Sequence, residues 1–193
     1  LSTIPNHQPG QAQANSSTTS DRLQGRERFP ELVIRSAEKK DVPYIAEIIN
    51  HYARSNLLLP RSEASVEQAL PGFMVASSGD TLLGTCALHP YSPKLAEVRS
   101  LTVHPEAQGM GIGSQLVLAC MAKAREQGLE RLFALTYQIV FFHKLGFTVV
   151  SKQTLPEKVW SDCIYCPRYY DCSEVAMMIR LATPQKRPPY NPI

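Results

Sequence analysis

The stretch Val103-His104-Pro105-Glu106-Ala107-Gln108-Gly109-Met110-Gly111-Ile112-Gly113-Ser114 constrains this chain more than any other. The residues before it, Glu97 to Val103, read as a strand; after it, Ile112, Leu116, Cys120 and Ala124 recur at helical spacing. A strand therefore runs into an amphipathic helix through a loop whose alternate residues 109, 111 and 113 are glycine. Without Cβ atoms the backbone can come close to a ligand. The helix start adds N–H groups that lack intrahelical partners and the positive end of the helix dipole. That combination suits a pyrophosphate and requires no lysine. The spacing is not the Gly-x-Gly-x-x-Gly of a dinucleotide fold, and the Gly-Lys-Ser/Thr of a P-loop is absent. The plain alternative is a glycine-rich turn that holds nothing.

Reading outward from this loop, Leu32 to Ser36 forms a strand, and Asp41 stands where an N-cap belongs before Ile45, Ile48, Ile49 and Tyr52. A shorter helix follows Ser62. Phe73–Ser77 and Thr81–His89 flank Ser-Gly-Asp, a hairpin signal. Gly128 ends the long helix. Arg131–Thr136 is a strand, Ile139–Leu145 a helix, and Phe147–Ser151 and Val175–Leu181 are two more strands. The order is β-α-α-β-β-β-α-β-α-β-β, an α/β domain with a mixed sheet and no internal repeat.

Length and composition agree with one domain. The chain has 193 residues, 44% hydrophobic and 19% charged, with a formal net charge of +3. That charge is too small and scattered to point to nucleic acid, but it tolerates a polyanionic small ligand. No apolar run approaches the ~20 residues that span a bilayer. Residues 1–30 are rich in Ser, Thr, Gln and Asn and are expected to be disordered. Residues 31–182 form the domain, and 183–193, with four prolines, an irregular tail. No disulfide framework is evident among the five cysteines, which favours a cytoplasmic setting, with an organellar presequence left open.

The form Gln108-x-x-Gly111-x-Gly113, after Leu101-Thr102-Val103-His104-Pro105, resembles the acetyl-CoA signature of the GNAT superfamily of N-acetyltransferases. The resemblance implies a mixed, mostly antiparallel sheet flanked by helices. It implies that Gln108 to Ser114 (with Gly109, Met110, Gly111, Ile112 and Gly113) hold the pyrophosphate of acetyl-CoA. The bulged strand before the loop, here Leu101, Thr102 and Val103, would lend backbone N–H groups to the pantetheine arm and thioester carbonyl. Lys144-Leu145-Gly146-Phe147 resembles the superfamily's Y-x-K-L-G-F ending, but the tyrosine that often acts as general acid is Phe142 here.

Three further segments are similar to the acetyltransferase domain of N-acetylglutamate synthases: Leu57 to Ser62, Ala96 to Pro105 and Arg131 to Thr136. Leu155 to Cys163 looks like the short, stand-alone form. By this resemblance the acceptor is L-glutamate and the product N-acetylglutamate, the entry to arginine biosynthesis. The amine arrives as ammonium and must lose a proton, and Glu97 matches the family's general base. A carboxylate on a buried strand is costly unless paired or functional, so a salt bridge with Arg99 is the competing reading. The departing CoA thiolate, with a thiol pKa of ~8.5, needs only a weak acid. Thr136 matches the family's hydroxyl position, and Tyr137 is the rival donor. Arg61 matches the substrate arginine and can grip a carboxylate bidentately. A second cation is expected from Lys158 or Arg168.

Cys163, Cys166 and Cys172 fall within ten residues of one another and, with His143, form a candidate structural zinc site lacking an assured fourth ligand. Reduced thiols in a folded loop are the bland alternative. Two other functions compete: a GNAT enzyme for another amino acid, polyamine or protein N-terminus, and a silent acyl-CoA-binding module. Glu97 argues against silence, and Arg61 against a cationic acceptor. A homodimer is an allowed assembly.

Overall fold

The computed structural model describes residues 29–181. The expectations for residues 1–28 and for the tail from 182 onward lie outside the described residues.

Seven strands form one sheet in the order β1-β2-β3-β4-β5-β7-β6. β1 is Leu32–Ser36, β2 Phe73–Ser78, β3 Thr81–Ser92, β4 Leu95–Val103, β5 Arg131–Thr136, β6 Thr148–Val149 and β7 Val175–Arg180. Only β4 and β5 run parallel; every other neighbouring pair is antiparallel. The helices are α1 Val42–Ala53, α2 Glu63–Gln68, α3 Ile112–Glu126, α4 Ile139–Lys144 and α5 Pro156–Ser161. This is the mostly antiparallel, helix-flanked arrangement expected.

Each face of the sheet buries a different set of helices. The larger core joins Leu116, Val117, Cys120 and Ala124 of α3 to β2, β3 and β4, together with Phe142 and Phe147. Ile45, Ala46 and Ile49 of α1 pack with Val66 of α2 on Phe73 and Val75. A third, smaller cluster places Leu155 under Leu95, Phe133 and Ala176, which seats the segment beginning with α5.

Three local expectations differ from the structure. Asp41 does not cap α1 through its side chain. Its carboxylate instead accepts from Arg35 at 2.6 and 3.0 Å and from the Glu38 N–H at 2.8 Å, and an ion pair satisfies it better than one helix N–H. Phe147–Ser151 contracts to the two residues of β6, because Phe147 turns into the core and the chain after Val149 leaves the sheet. Within the long segment after Ser151, α5 was not anticipated, since six residues carry too short a period to read.

Two irregularities of β4 position the site. Ser100 has φ 54° and sits where the register with β3 slips, Thr85 opposing Thr102 but Ala87 opposing Arg99. One extra residue on β4 is a β-bulge, which bends the strand. On the other edge, β4 pairs with β5 only from Leu95 to Glu97, opposite Arg131 to Phe133. Beyond Glu97 the two parallel strands part.

Candidate active site

Glu97 is the last residue of β4 paired with β5, so it stands at the apex where the strands separate. It is 3% exposed, and its Oε2 meets Lys158 Nζ at 3.0 Å and Tyr91 Oη at 3.0 Å. Arg99 Nη1 lies 3.8 Å away. The salt bridge foreseen with Arg99 is thus looser than the one with Lys158, which the fold brings in from α5. Asp162, just after that helix, completes the cluster. Its Oδ2 accepts from Lys158 at 2.9 Å, Arg99 at 3.2 Å and Tyr91 at 2.5 Å.

Burial and charge set the ionisation of this group. Burial works against both Lys158 and Asp162. For Lys158 the charges of Glu97 and Asp162 more than offset it and raise the ammonium pKa above its ordinary value. For Asp162 the hydrogen bonds from Tyr91 and Lys158 carry the carboxyl below its ordinary range. The Tyr91 phenol is raised by burial and then by the Glu97 carboxylate, so it stays protonated. His89, opposite Glu97 on β3, is lowered to about 4 by burial and by Arg99, and is neutral at pH 7.

Glu97 opens onto a cleft of about 1120 Å³ bounded by Leu58 to Arg61, Arg99, Ser100, Leu135 and the segment from Lys152 to Glu174. Arg61 is fixed there by its backbone, whose N–H and C=O bond the Asn50 amide of α1 at 2.9 and 2.8 Å. Its guanidinium donates to Ser65 Oγ at 3.3 and 3.1 Å and lies over the Phe73 ring at 5.8 Å. Among the described residues no carboxylate is within ion-pair distance of it. Arg99 presents a buried Nε without a hydrogen-bond partner. Both arginines also border a smaller cavity of about 250 Å³ next to His89. Arg99 was not foreseen as a ligand-facing group. Its i, i+2 relation to Glu97 puts both on one face of β4, the signal that could have found it.

Lys158 borders the cleft but already serves Glu97 and Asp162. Arg168 is turned elsewhere, donating to the Asn56 carbonyl at 2.8 Å, while its neighbours Pro167 and Tyr169 line the cleft. Thr136 is buried at the end of β5, where its Oγ1 accepts from the Gln138 N–H at 2.8 Å. Tyr137 is 38% exposed. Leu135, rather than either of them, lines the cleft. Phe142 is packed edge-on against Phe141 and Phe147 and offers no hydroxyl.

Across the sheet from the acceptor cleft, the glycine loop leads into α3. Gly109 and Gly111 both have φ 79°, and a Cβ on either would meet nothing within 4 Å. The backbone there is open on the side a ligand would approach. The first bond within α3 runs from the Gln115 N–H to the Gly111 carbonyl at 3.1 Å, which leaves the N–H groups of Ile112, Gly113 and Ser114 without helix partners. Gln108 Nε2 donates to Tyr52 Oη at 2.7 Å, tying the loop to α1. These features fit a pyrophosphate.

The cysteines do not form the metal site that their spacing suggested. No three His, Cys, Asp or Glu side chains are grouped to hold a metal ion among the described residues. Cys163 and Cys166 bracket a 3-10 turn, while Cys172 is held by Lys152 Nζ at 3.3 Å and approaches Glu174 at 3.7 Å. Lys152 occupies the Cys172 sulfur as a hydrogen-bond donor, and all three thiols are free and half-buried along the cleft.

Residues 38–147 match the acetyltransferase (GNAT) family. The chain belongs to that family. An N-acetyltransferase of Chlorobaculum tepidum, itself uncharacterised, is 36% identical over 145 residues, covering 75% of this chain and 94% of the relative. The amino-acid acetyltransferase of Mycobacterium tuberculosis is 32% identical over 133 residues, 67% of this chain and 76% of that one. Among solved structures, N-acetylglutamate synthase from Neisseria gonorrhoeae, complexed with coenzyme A and N-acetyl-glutamate, matches with a TM-score of 0.71 and 31% identity. That match covers 78% of this chain and 35% of the synthase. This GNAT protein is an acetyl-CoA-dependent N-acetyltransferase. No helix among its described residues is long and apolar enough to cross a membrane.

Proposed function

We propose that this acetyltransferase acetylates the α-amino group of L-glutamate, yielding the N-acetylglutamate that enters arginine biosynthesis. The observation that carries the reading is the pair of guanidiniums, Arg61 and Arg99, on the wall of the cleft that holds Glu97. Among the described residues Arg61 has no carboxylate of its own, and the Arg99 Nε has no partner. An acceptor with two carboxylates complements them, whereas a polyamine would be repelled. The likeness to amino-acid acetyltransferases and to N-acetylglutamate synthase supports the same acceptor.

Acetyl-CoA supplies the acetyl group as a thioester. Glu97 takes the proton from the acceptor ammonium, and the freed amine attacks the thioester carbon. Within Leu101-Thr102-Val103, the backbone N–H groups that face the edge of β4 no longer paired with β5 stabilise the charge that develops on the carbonyl oxygen. Thr136 or Tyr137 protonates the departing thiolate and takes back the second proton that the amine nitrogen loses as the amide forms. The N–H groups from Gln108 to Ser114 hold the pyrophosphate.

The test is CoA release from acetyl-CoA with L-glutamate beside aspartate, glutamine, lysine and spermidine. Wild-type turnover should prefer glutamate, and Glu97→Gln should lose ~10²- to 10⁴-fold in kcat. Preference for glutamine or lysine would retire the acceptor and keep the chemistry. Tight acetyl-CoA binding without turnover on any amine would favour a silent binding module.

A further inference from the structure

Glu97 cannot keep the proton it takes. Each turnover transfers one proton from the ammonium to this carboxylate, yet the side chain is only 4% exposed, so the base needs an exit route before it can act again. The structure provides one set of groups in the right order. Tyr91 Oη lies 3.0 Å from Glu97 Oε2 and 2.5 Å from Asp162 Oδ2. A phenol has one proton and cannot donate fully to two ionised carboxylates. With its proton on Asp162, the contact with Glu97 becomes a full hydrogen bond only when Glu97 carries a proton and donates it to Tyr91. Asp162 is 35% exposed and borders the cleft, so the far end of the chain of contacts meets water.

We infer that Tyr91 and Asp162 form a relay that carries the proton from Glu97 to solvent after it has been taken from the acceptor amine. The inference rests on Glu97 being the base. In the relay, the Glu97 O–H bond breaks as a new O–H bond forms on Tyr91. In the same motion the original Tyr91 proton moves to Asp162, which releases it to water. One proton leaves, and Glu97 returns as carboxylate. The phenol is never left as phenolate, in keeping with the burial and neighbouring carboxylates that oppose its ionisation. Asp162, held low by its hydrogen bonds, does not retain what it receives. Lys158 bridges the same two carboxylates at 3.0 and 2.9 Å and keeps them facing Tyr91. Because Tyr91 and Asp162 act through Glu97, both are positioning residues.

The relay is tested by steady-state kinetics of Tyr91→Phe, Asp162→Asn and the double variant in H₂O and D₂O, with Glu97→Gln alongside and any amine that wild type turns over as acceptor. Tyr91→Phe keeps the ring that packs on Phe133 and His89. Thermal unfolding and acetyl-CoA binding of each variant report whether it folds. Each single variant should lose roughly 10-fold or more in kcat, short of the ~10²- to 10⁴-fold expected for the base itself. The solvent isotope effect should rise, and imidazole or phosphate should restore rate in proportion to its concentration. The double variant should be no slower than the slower single, since both cut one route. Asp162→Glu should recover rate relative to Asp162→Asn. Wild-type kcat in Tyr91→Phe beside a dead Glu97→Gln would overturn the relay alone. Multiplicative losses insensitive to D₂O and buffer would do the same, reducing these residues to packing. Full activity in Glu97→Gln would overturn base and relay together.

Discussion

At the scale of single residues, the acceptor cleft is a question of which charges are already paired. Glu97, Lys158, Asp162 and part of Arg99 satisfy one another, whereas among the described residues the Arg61 guanidinium has only the Ser65 hydroxyl and the Phe73 ring. Arg61→Met should therefore act on the acceptor rather than on the fold. A charge-assisted bond contributes ~1.5–3 kcal/mol, so the KM for glutamate should rise by about 10- to 100-fold with little change in Tm or in acetyl-CoA affinity. Arg61→Lys should recover little of it, because an ammonium cannot make the forked contact. Initial-rate kinetics with varied glutamate separate the two. The charge pattern of this site was half legible. Glu97 and Arg61 could be singled out by likeness to a family, and Lys158 lies within a segment that carried the same likeness. Asp162 lies in that same segment without being singled out and Tyr91 lies outside it, since neither residue type nor local spacing distinguishes them from any surface tyrosine or aspartate.

At the scale of elements, β4 and α3 with their connecting loop make the cofactor side. The bulge at Ser100 and the separation of β4 from β5 after Glu97 leave one strand edge free, and the loop turns it into the start of α3. Gly111, the residue before the helix, holds φ 79° with open space beyond it. Alanine there pays about 1–2 kcal/mol for the left-handed backbone and adds a methyl to the surface a pyrophosphate would cover. Gly111→Ala should thus bind acetyl-CoA at least tenfold more weakly by calorimetry while remaining folded. Equal affinity would show that the loop does not hold the cofactor. Local patterns read these elements well, because glycine spacing and helical period are written in neighbouring residues. They read α5 and β6 poorly, because six and two residues are too few to display a period.

At the scale of the whole molecule, ligand and pH should both move stability. Binding to the folded state alone adds about 2.7 kcal/mol at a hundredfold excess over Kd. For a domain of this size that raises Tm by roughly 5–10 °C. Acetyl-CoA should produce that shift in wild type and much less in Gly111→Ala by calorimetric or fluorescence melting. His89 gives the pH dependence its sign. Its folded value of about 4 lies below the ordinary 6.5, because burial and then Arg99 oppose the charged ring. Between those values the unfolded chain binds a proton that the folded chain does not, so stability falls as pH drops from about 6.5 to 4. His89→Gln should flatten the Tm profile across that window. Asp41 is held low first by its bond from Arg35, so its contribution is lost only further down, as pH falls through a carboxyl value below the ordinary 3.8.

What the sequence by itself determined was local: the strand, glycine loop and helix that suit a pyrophosphate, most element positions, and the mixed single sheet. Those features depend on residues a few positions apart, whose sterics and period act before any long-range contact forms. Only the tertiary structure decided what surrounds Glu97. Tyr91 lies six residues away around the β3–β4 turn, while Lys158 and Asp162 come from 61 and 65 positions later, after two more strands and two more helices. Their meeting requires β5 to part from β4 and Leu155 to seat α5 on Leu95 and Phe133. The three cysteines taught the converse. Their spacing resembled a metal site, but the described residues group no three metal ligands, and the Cys172 sulfur is bonded to Lys152 instead. Ion pairs and metal sites are set by distance in space, which spacing along a chain constrains only when a single element carries every member.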